Sequence, residues 1–388
     1  MGRRIVTVFL VAGLLLMHAA TGWAGEDVWH KLALDKTHVI SIVSDPVRPS
    51  TLYAATSRGV LKSSDNGAGW SPLNQGLPGE QPPSCVAVNP FNSKVLYAGY
   101  DGLGIFQSMD GGVTWQAINE GLPNLYVRCI TVSPKDSNLI YAGIQGGVVL
   151  STNGGKAWHM SSGFRRATNV NTIVIDPKNP QYLFAGTGGS GVFKSGNGGV
   201  SWKDINQGLS SLSILTLYID PENPDRVLAG SYHPATPTDL YVGEAVGGVY
   251  QTVDGGRTWH GTNLVGVTVF SLAGNPQHPG VLYAGAWGGA FRSVDGGENW
   301  TDINAGLDNA FVHKVHIVPD RMPTVLAGTT YGILSYTDTQ VLDLLKGQRS
   351  TPWLIYGLAG VGCLLTLIGI GLWRKKKRKS ADGNQSVW

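Results

Sequence analysis

Short runs of alternating hydrophobic and polar residues fill most of the chain, and turn-forming residues separate them. Residues 172–175 alternate in this way before an Asp-Pro pair, and further short runs follow at 182–186 and 192–195. A period of two is typical of half-buried β-strands, whereas Pro, Asn and Gly between the runs are typical of turns. The pattern therefore predicts an all-β protein built from short antiparallel strands.

One motif, S-x-D-x-G-x-x-W, marks a repeating unit, and we refer to it as the box. Clear copies lie at residues 63–70, 108–115 and 293–300, and weaker copies lie at 151–158, 195–202 and 252–259. The six box tryptophans are separated by 45, 43, 44, 57 and 41 residues. This period is expected for the four-stranded blades of a propeller, and the one long gap indicates an insertion.

The number of units and the closure of the ring follow from the same pattern. The strands of each unit are labelled A to D, with the box between C and D. Candidate A strands occur near Val39, Cys85, Cys129, Thr172, Ile214, Thr268 and Lys314. The last unit stops after its C strand, whereas a spare D-like segment lies at residues 29–34, and pairing the two would remove an exposed sheet edge. The sequence predicts a seven-bladed β-propeller of four-stranded blades with N-terminal strand closure, over residues 25–336, with six or eight blades as alternatives.

The box residues are expected to stabilise the turn between the C and D strands. An Asp or Asn oxygen can accept backbone N–H bonds, the glycines permit positive φ, and the tryptophan can lie between blades. Asn replaces Asp in two boxes, which a structural acceptor tolerates and a catalytic carboxylate does not. The structural set is Asp65, Trp70, Asp110, Trp115, Asn153, Trp158, Asn197, Trp202, Asp254, Trp259, Asp295 and Trp300.

The two ends of the chain predict export and a membrane anchor. Two arginines, an apolar run at 5–17 and small residues up to Ala24 are typical of a signal peptide over residues 1–24, with an uncleaved anchor as the alternative. The uncharged stretch from Trp353 to Trp373 is long enough for one C-terminal transmembrane helix, with a buried core helix as the alternative. A linker at 337–352 precedes it, and a basic cytoplasmic tail follows at 374–388. The positive-inside rule places the propeller outside the membrane, on the periplasmic face of the inner membrane in a bacterium.

Charge and cysteine content narrow the function classes. Residues 25–351 contain 21 basic and 25 acidic residues, a net charge of −4. Nucleic acid is therefore not an expected partner, since binding it requires a clustered basic surface. Cys85 and Cys129 stand at equivalent places in neighbouring units, which are usually too far apart for a disulfide. Two apolar core cysteines are expected, and a bridge is the alternative.

The box resembles the Asp-box (BNR) repeat, and the adjoining D-P-x-N-P-x-x-L-Y-A-G pattern is similar to three groups of propellers. These are sortilin-type ectodomains, xyloglucan-degrading glycoside hydrolases, and photosystem II assembly and stability factors. The resemblance covers about residues 29–336 and implies the fold, whereas unrelated activities share it. A sialidase is not expected, because the F/Y-R-I-P motif is absent after Phe291-Arg292. The xyloglucan hydrolases place one catalytic acid on each of two propellers, whereas the assembly factor has a single propeller of similar size.

A binding surface is expected on the face opposite the boxes, where the B–C and D–A loops vary between units. Aromatic residues and arginines, which are enriched at interaction hot spots, recur in these loops, and the insertion at 232–244 extends over the same face. The predicted binding residues are Arg58, Tyr100, Tyr126, Arg128, Arg165, Arg166, Tyr232, Trp287, Phe311 and Tyr331.

Three loop acids are the candidates for catalysis. Asp101, Asp239 and Glu244 could approach one another, and two carboxylates about 5–9 Å apart would permit glycoside hydrolysis. Solvated loop acids are the alternative. His313 and His316 are expected to point to opposite faces of a strand, so no metal site is predicted. No G-x-S-x-G, Walker or HExxH motif is present, and no cofactor is expected.

Two functions fit these observations. The first is a membrane-anchored, non-enzymatic scaffold that binds a protein or peptide, in membrane-protein assembly or quality control. The second is a glycan-binding protein or a glycoside hydrolase-like enzyme, because exposed aromatic rings also stack on sugars. A purely structural surface repeat without a ligand is a third reading.

Overall fold

Seven antiparallel sheets of four strands each form the part of the chain that the structure describes. This computed structural model describes residues 27–341, apart from residues 80, 165–167, 234–246, 276–277, 308–310 and 319–323. The predicted signal peptide, transmembrane helix, tail and most of the linker lie outside the described residues, as do Arg165, Arg166, Asp239 and Glu244. No helix within the described residues is long and apolar enough to cross a membrane.

The chain divides into two units, residues 1–338 and 339–388, and the first contains all seven sheets. The second is described only at residues 339–341, which are helical. Each sheet of the first unit is one propeller blade.

Six blades are each built from four consecutive strands, in the order A to D from the centre outwards. Blades 1 to 3 comprise β2 (Val39–Ser44), β3 (Leu52–Thr56), β4 (Gly59–Ser63), β5 (Ser71–Pro72), β6 (Cys85–Val88), β7 (Leu96–Tyr100), β8 (Gly104–Ser108), β9 (Gln116–Ala117), β10 (Val127–Val132), β11 (Ile140–Ile144), β12 (Gly147–Ser151) and β13 (His159–Met160). Blades 4 to 6 comprise β14 (Val170–Ile175), β15 (Leu183–Thr187), β16 (Gly191–Ser195), β17 (Lys203–Asp204), β18 (Ile214–Ile219), β19 (Val227–Ser231), β20 (Gly248–Thr252), β21 (His260–Val265), β22 (Val269–Asn275), β23 (His278–Ala286), β24 (Gly289–Ser293) and β25 (Thr301–Asp302).

The seventh blade takes strands from both ends of the propeller. Its A, B and C strands are β26 (Val312–Val318), β27 (Thr324–Thr329) and β28 (Gly332–Thr337), and its D strand is β1 (His30–Ala33). The β1 strand pairs antiparallel with β28, which completes the sheet. The predicted seven blades and the N-terminal closing strand are confirmed.

The closing blade has a box that is divided between the two chain segments. Asp338 follows β28 in the same register as Asp295 follows β24. Trp29 precedes β1 and donates its indole N–H to the carbonyl of Ile303 in blade 6 at 2.6 Å. Trp115 and Trp158 likewise donate to a carbonyl of the preceding blade. Only six boxes are recognisable in the sequence, because the two halves of the seventh box lie at opposite ends of the propeller sequence.

The hydrophobic core lies between the blades. The B strands of blades 1 to 5 are buried at every position, and the Ala and Gly residues near their ends let neighbouring blades approach closely. The box tryptophan of one blade packs on the preceding blade, as Trp158 packs against Tyr97 and Ile105. Each blade therefore buries its apolar surface against its neighbours, and ring closure leaves no terminal blade uncovered.

The box serine is the centre of the turn that the box forms. In blade 2, the buried Ser108 Oγ accepts the N–H of Gly112 at 2.8 Å and donates to Asp110 Oδ1 at 2.7 Å. Asp110 also accepts the hydroxyl and the N–H of Thr114, and these bonds lower its pKa to about 2. Gly112 has a φ of 93°, which a residue with a side chain rarely adopts. These contacts give the box a role in stability.

Candidate functional site

The two faces of the propeller are held by different hydrogen bonds. On one face, the A–B turn of each box-bearing blade binds its box, for example through Gly111 N–H to Lys94 O at 2.8 Å. On the other, the B–C loops bind neighbouring D–A segments, for example through Gly146 N–H to Thr168 O at 2.7 Å. We call these the box face and the loop face. Antiparallel pairing places all loops of one kind on one face, as the sequence predicted.

The loop face surrounds the mouth of a central channel, which the seven A strands line. In each blade, one A-strand residue pairs with the second-to-last residue of the B strand. The residue just before it in sequence stands at the mouth. All seven side chains are at least partly exposed. This mouth ring consists of Ile40, Ser84, Arg128, Asn171, Leu215, Phe270 and His313.

Five aromatic side chains form a continuous surface on one side of the mouth, which we call the aromatic arc. Trp287 meets Phe311 edge to face with ring centroids 4.8 Å apart, and Phe311 lies parallel to His313 at 6.4 Å. His313 also contacts Phe270 at 5.3 Å and His38 at 4.5 Å. Trp287 is 48% exposed. The arc therefore combines rings from blades 6, 7 and 1 into one surface that is open to solvent.

The two histidines of the arc are neutral at neutral pH. Burial, together with the nearby His38, lowers the pKa of His313 to about 4. Burial also lowers the pKa of His38. The Nε2 atom of His313 lies 3.1 Å from the hydroxyl of Thr330, which fixes the ring orientation. The arc is thus an uncharged surface suited to aromatic or apolar groups.

The opposite side of the mouth carries an ion pair. Arg128 lies 3.1 Å from Asp101, and both side chains are almost half exposed. A β-bridge joins Asp101 to Tyr126, whose ring is 49% exposed. The contact positions the Arg128 guanidinium at this side of the mouth, with Asp101 as its partner.

The other predicted binding residues differ in exposure. Tyr331 and Tyr232 are exposed in B–C loops, and Arg58 is exposed with Nη2 donating to the carbonyl of Asp35 at 3.3 Å. Tyr100 departs from the prediction. It ends the fully buried strand β7 and packs between blades, where burial raises the pKa of its hydroxyl. Tyr100 is a core residue and does not belong to the exposed surface.

The sequence did not identify His38, Phe270 and His313 as parts of the aromatic arc. A signal was available for two of them, because Phe270 and His313 stand at the repeat position of Arg128, which was selected. His38 carries no such signal, since only the closed ring brings it against the seventh blade.

Cys85 and Cys129 are both free thiols. Each lies in an A strand opposite a glycine of its own B strand. Burial raises the pKa of Cys85 to about 12 and also raises the pKa of Cys129. The expectation of two core cysteines without a bridge is confirmed.

Comparisons with known proteins identify relatives in structure. No protein-family model matches the chain, and no curated protein matches it in sequence. The chain is similar to the GH74 xyloglucanase from Xanthomonas campestris, with 19% identity and a TM-score of 0.64 over 79% of this chain and 53% of that one. It is similar to YCF48 bound to D1 peptide, with 16% identity and a TM-score of 0.58 over 80% and 97%. It also matches the extracellular domain of a one-component system from B. thetaiotaomicron, with 14% identity and a TM-score of 0.61 over 80% and 40%.

These similarities concern the fold. The chain spans about half the length of the xyloglucanases and nearly the whole length of YCF48. The predicted resemblance to xyloglucan-hydrolase and photosystem II assembly-factor propellers is confirmed at this level. The chain is a single seven-bladed propeller of the architecture that those proteins share.

Proposed function

We propose that the protein is a membrane-anchored, extracytoplasmic propeller that binds a peptide or protein client through its loop face, without catalysing a reaction. The aromatic arc is the observation that carries this proposal. Its rings are contiguous and neutral, four of them are partly exposed, and the fifth is the half-exposed ring of Trp287. Surfaces of this kind are typical of interaction hot spots, where aromatic anchors supply most of the binding energy.

The structural comparison with YCF48 supports a peptide client. The match covers 97% of that protein, and its structure contains a D1 peptide. A single propeller is therefore large enough to hold a peptide. We extend this to a role for the present chain in membrane-protein assembly or quality control.

The direction of the last described strand is compatible with this proposal. Strand β28 is a C strand and ends at the box face, which is the face opposite the loops. Export by the proposed signal peptide and anchoring by the proposed C-terminal transmembrane helix would keep the propeller on the outer side of the membrane.

Site-specific photocrosslinking in cells tests the proposal. A photoreactive amino acid is placed at Tyr331 on the loop face or at Met109 on the box face, which are both 64% exposed. We expect a discrete protein adduct from position 331 and none from position 109. The double variant Trp287→Ala with Phe311→Ala should abolish the adduct, whereas Val253→Ala on the box face should leave it unchanged. An adduct that survives the double variant contradicts the proposal.

Glycan binding is the second candidate, and the exposed ring of Trp287 favours it because sugars stack on such rings. It predicts that xyloglucan or another polysaccharide shifts the tryptophan fluorescence of wild type and that Trp287→Phe reduces the shift. Hydrolysis would need an acid other than Asp101, whose carboxylate is held by Arg128. A panel of polysaccharides without any fluorescence response eliminates this candidate.

A further inference from the structure

A second ring of residues lies one step further along the A strands than the mouth ring. Each member directly follows a mouth-ring residue in sequence and pairs with the second-to-last residue of its B strand, which is Ala or Gly. Six of the seven are small side chains with a hydroxyl or a thiol, and the seventh is a lysine. This channel ring consists of Ser41, Cys85, Cys129, Thr172, Thr216, Ser271 and Lys314.

Lys314 belongs to the seam between blades 7 and 1. His316 stands two residues further along the same strand, and its Nε2 atom lies 2.6 Å from the hydroxyl of Ser44 in blade 1. Lys314 is only partly exposed, as are His313 and His316 of the same strand. Side chains at these positions thus line the inner wall of the propeller next to the first blade.

Lys314 lacks a counter-charge among the described residues. None of the ion pairs formed there includes it, and neither does any hydrogen bond from its ammonium group. Burial lowers its pKa, and no carboxylate opposes that effect. Burial together with the nearby Lys314 also lowers the pKa of His316, to about 3, so the histidine is neutral at neutral pH.

A half-buried lysine without a nearby acid is unfavourable for stability, because its ammonium group loses part of its hydration and gains no partner. The fold does not require it, since six small neutral residues fill the equivalent positions. A ligand group with one negative charge would supply the missing partner. A carboxylate fits this requirement, because it carries the one negative charge that a single lysine balances and it accepts charge-assisted hydrogen bonds from the ammonium group.

We propose that the channel receives a carboxylate of an acidic peptide, which passes the mouth ring beside the aromatic arc and pairs with Lys314. This inference rests on the proposed peptide-binding function and specifies its ligand. The arc would hold apolar groups of the peptide, and Lys314 would select for the acid. The carboxylate can come from a Glu or Asp side chain or from the peptide's C-terminus.

Affinity selection with synthetic peptides tests this inference. The full-length protein in detergent is incubated with two random heptapeptide libraries, and the retained peptides are sequenced by mass spectrometry. One library has a free C-terminus and the other is C-terminally amidated. If the carboxylate comes from a side chain, we expect the retained amidated peptides to be enriched about fivefold or more in Asp and Glu. If it comes from the C-terminus, we expect wild type to retain only the peptides with a free C-terminus. The two libraries distinguish these sources of the carboxylate.

Variants of the channel lysine provide the decisive comparison. Lys314→Met should weaken the best peptide by about 30-fold or more, as expected for the loss of one partner of a desolvated charge pair. Lys314→Arg should retain the acid preference, and Lys203→Met, at an exposed lysine of strand β17, should have no effect. If Lys314→Met does not fold, Ser41→Asp in the adjoining blade should remove the preference by supplying an internal carboxylate.

Three outcomes overturn the inference. The first is retention of peptides by wild type without acid enrichment and without a need for a free C-terminus. The second is an acid preference that survives both Lys314→Met and Ser41→Asp. The third is failure of wild type to retain any peptide, and the adduct from position 331 then decides separately on the proposed function.

Discussion

Asp338 anchors the end of the closing blade's C strand on blade 6, and its replacement tests how much this contact stabilises the propeller. Its carboxylate is fully buried and accepts bonds from Arg292 Nη1 and from the hydroxyl of Tyr283, both at 2.7 Å. The Arg292 side chain is only 10% exposed. The contact joins blade 6 to the end of β28 at the divided box of the closing blade.

The variant Asp338→Asn keeps the size of the side chain and removes its charge. The buried Arg292 guanidinium then loses the negative charge of Asp338, and breaking a buried ion pair in this way costs about 3–5 kcal/mol. For roughly 310 residues the unfolding entropy is about 0.65 kcal/mol/K, so the melting temperature should fall by about 5–8 °C. This is a large part of a typical total stability of about 5–15 kcal/mol.

Thermal unfolding of the full-length protein, followed by near-UV circular dichroism at pH 7, measures this change. The control is Asp35→Asn, which removes an exposed ion pair with Lys31 and should shift the melting temperature by no more than about 1–2 °C. The double variant Arg292→Met with Asp338→Asn removes both charges and should recover much of the loss. A shift below about 2 °C for Asp338→Asn, or no recovery in the double variant, would refute the reasoning.

Three further predictions concern other parts of the propeller. Because the folded-state pKa of His316 is lowered to about 3 from 6.5, the unfolded chain binds its proton first, so stability should fall as the pH drops below 6.5. Melting temperatures from pH 8 to 4 should show a smaller decline in His316→Gln than in wild type, and equal slopes would contradict this. Cys85 and Cys129 should react with iodoacetamide only after denaturation, as read by peptide mass mapping, and labelling of the native protein would argue against their burial. Ser108→Ala should cost about 1–3 kcal/mol in denaturant unfolding, because Gly112 N–H loses its buried acceptor, whereas an unchanged midpoint would exclude the serine as the centre of the turn.

The repeat was readable from the sequence because each blade is formed by residues close together in the chain. The alternation of strands, the box and its spacing are local features, and they were sufficient to predict seven blades. The closing strand was also readable, since a D-like segment before the first A strand and a missing one after the last unit complement each other. The divided box was not readable, because Trp29 and Asp338 become parts of one blade only when β1 pairs with β28.

The exposed residues of the loop face were predicted only in part. Trp287 and Phe311 were identified by residue type and loop position, and the structure places them together at 4.8 Å. Tyr100 was assigned to the surface by its loop position, but its strand is buried on both sides. One residue of shift at a strand end decides between core and solvent, and a sequence pattern does not resolve that shift.

The sequence by itself determined the fold class, the number of blades, the strand that closes the ring and the face that carries the variable loops, because short-range patterning encodes each of these. Only the tertiary structure shows which residues meet around the channel and its mouth. His38, Phe270 and His313 come from three separate repeats and contact one another at the mouth. Lys314 occupies a position of the A strand where the other six blades have a small neutral residue. Contacts between side chains far apart in sequence depend on how adjacent blades pack, and that packing is a property of the closed ring.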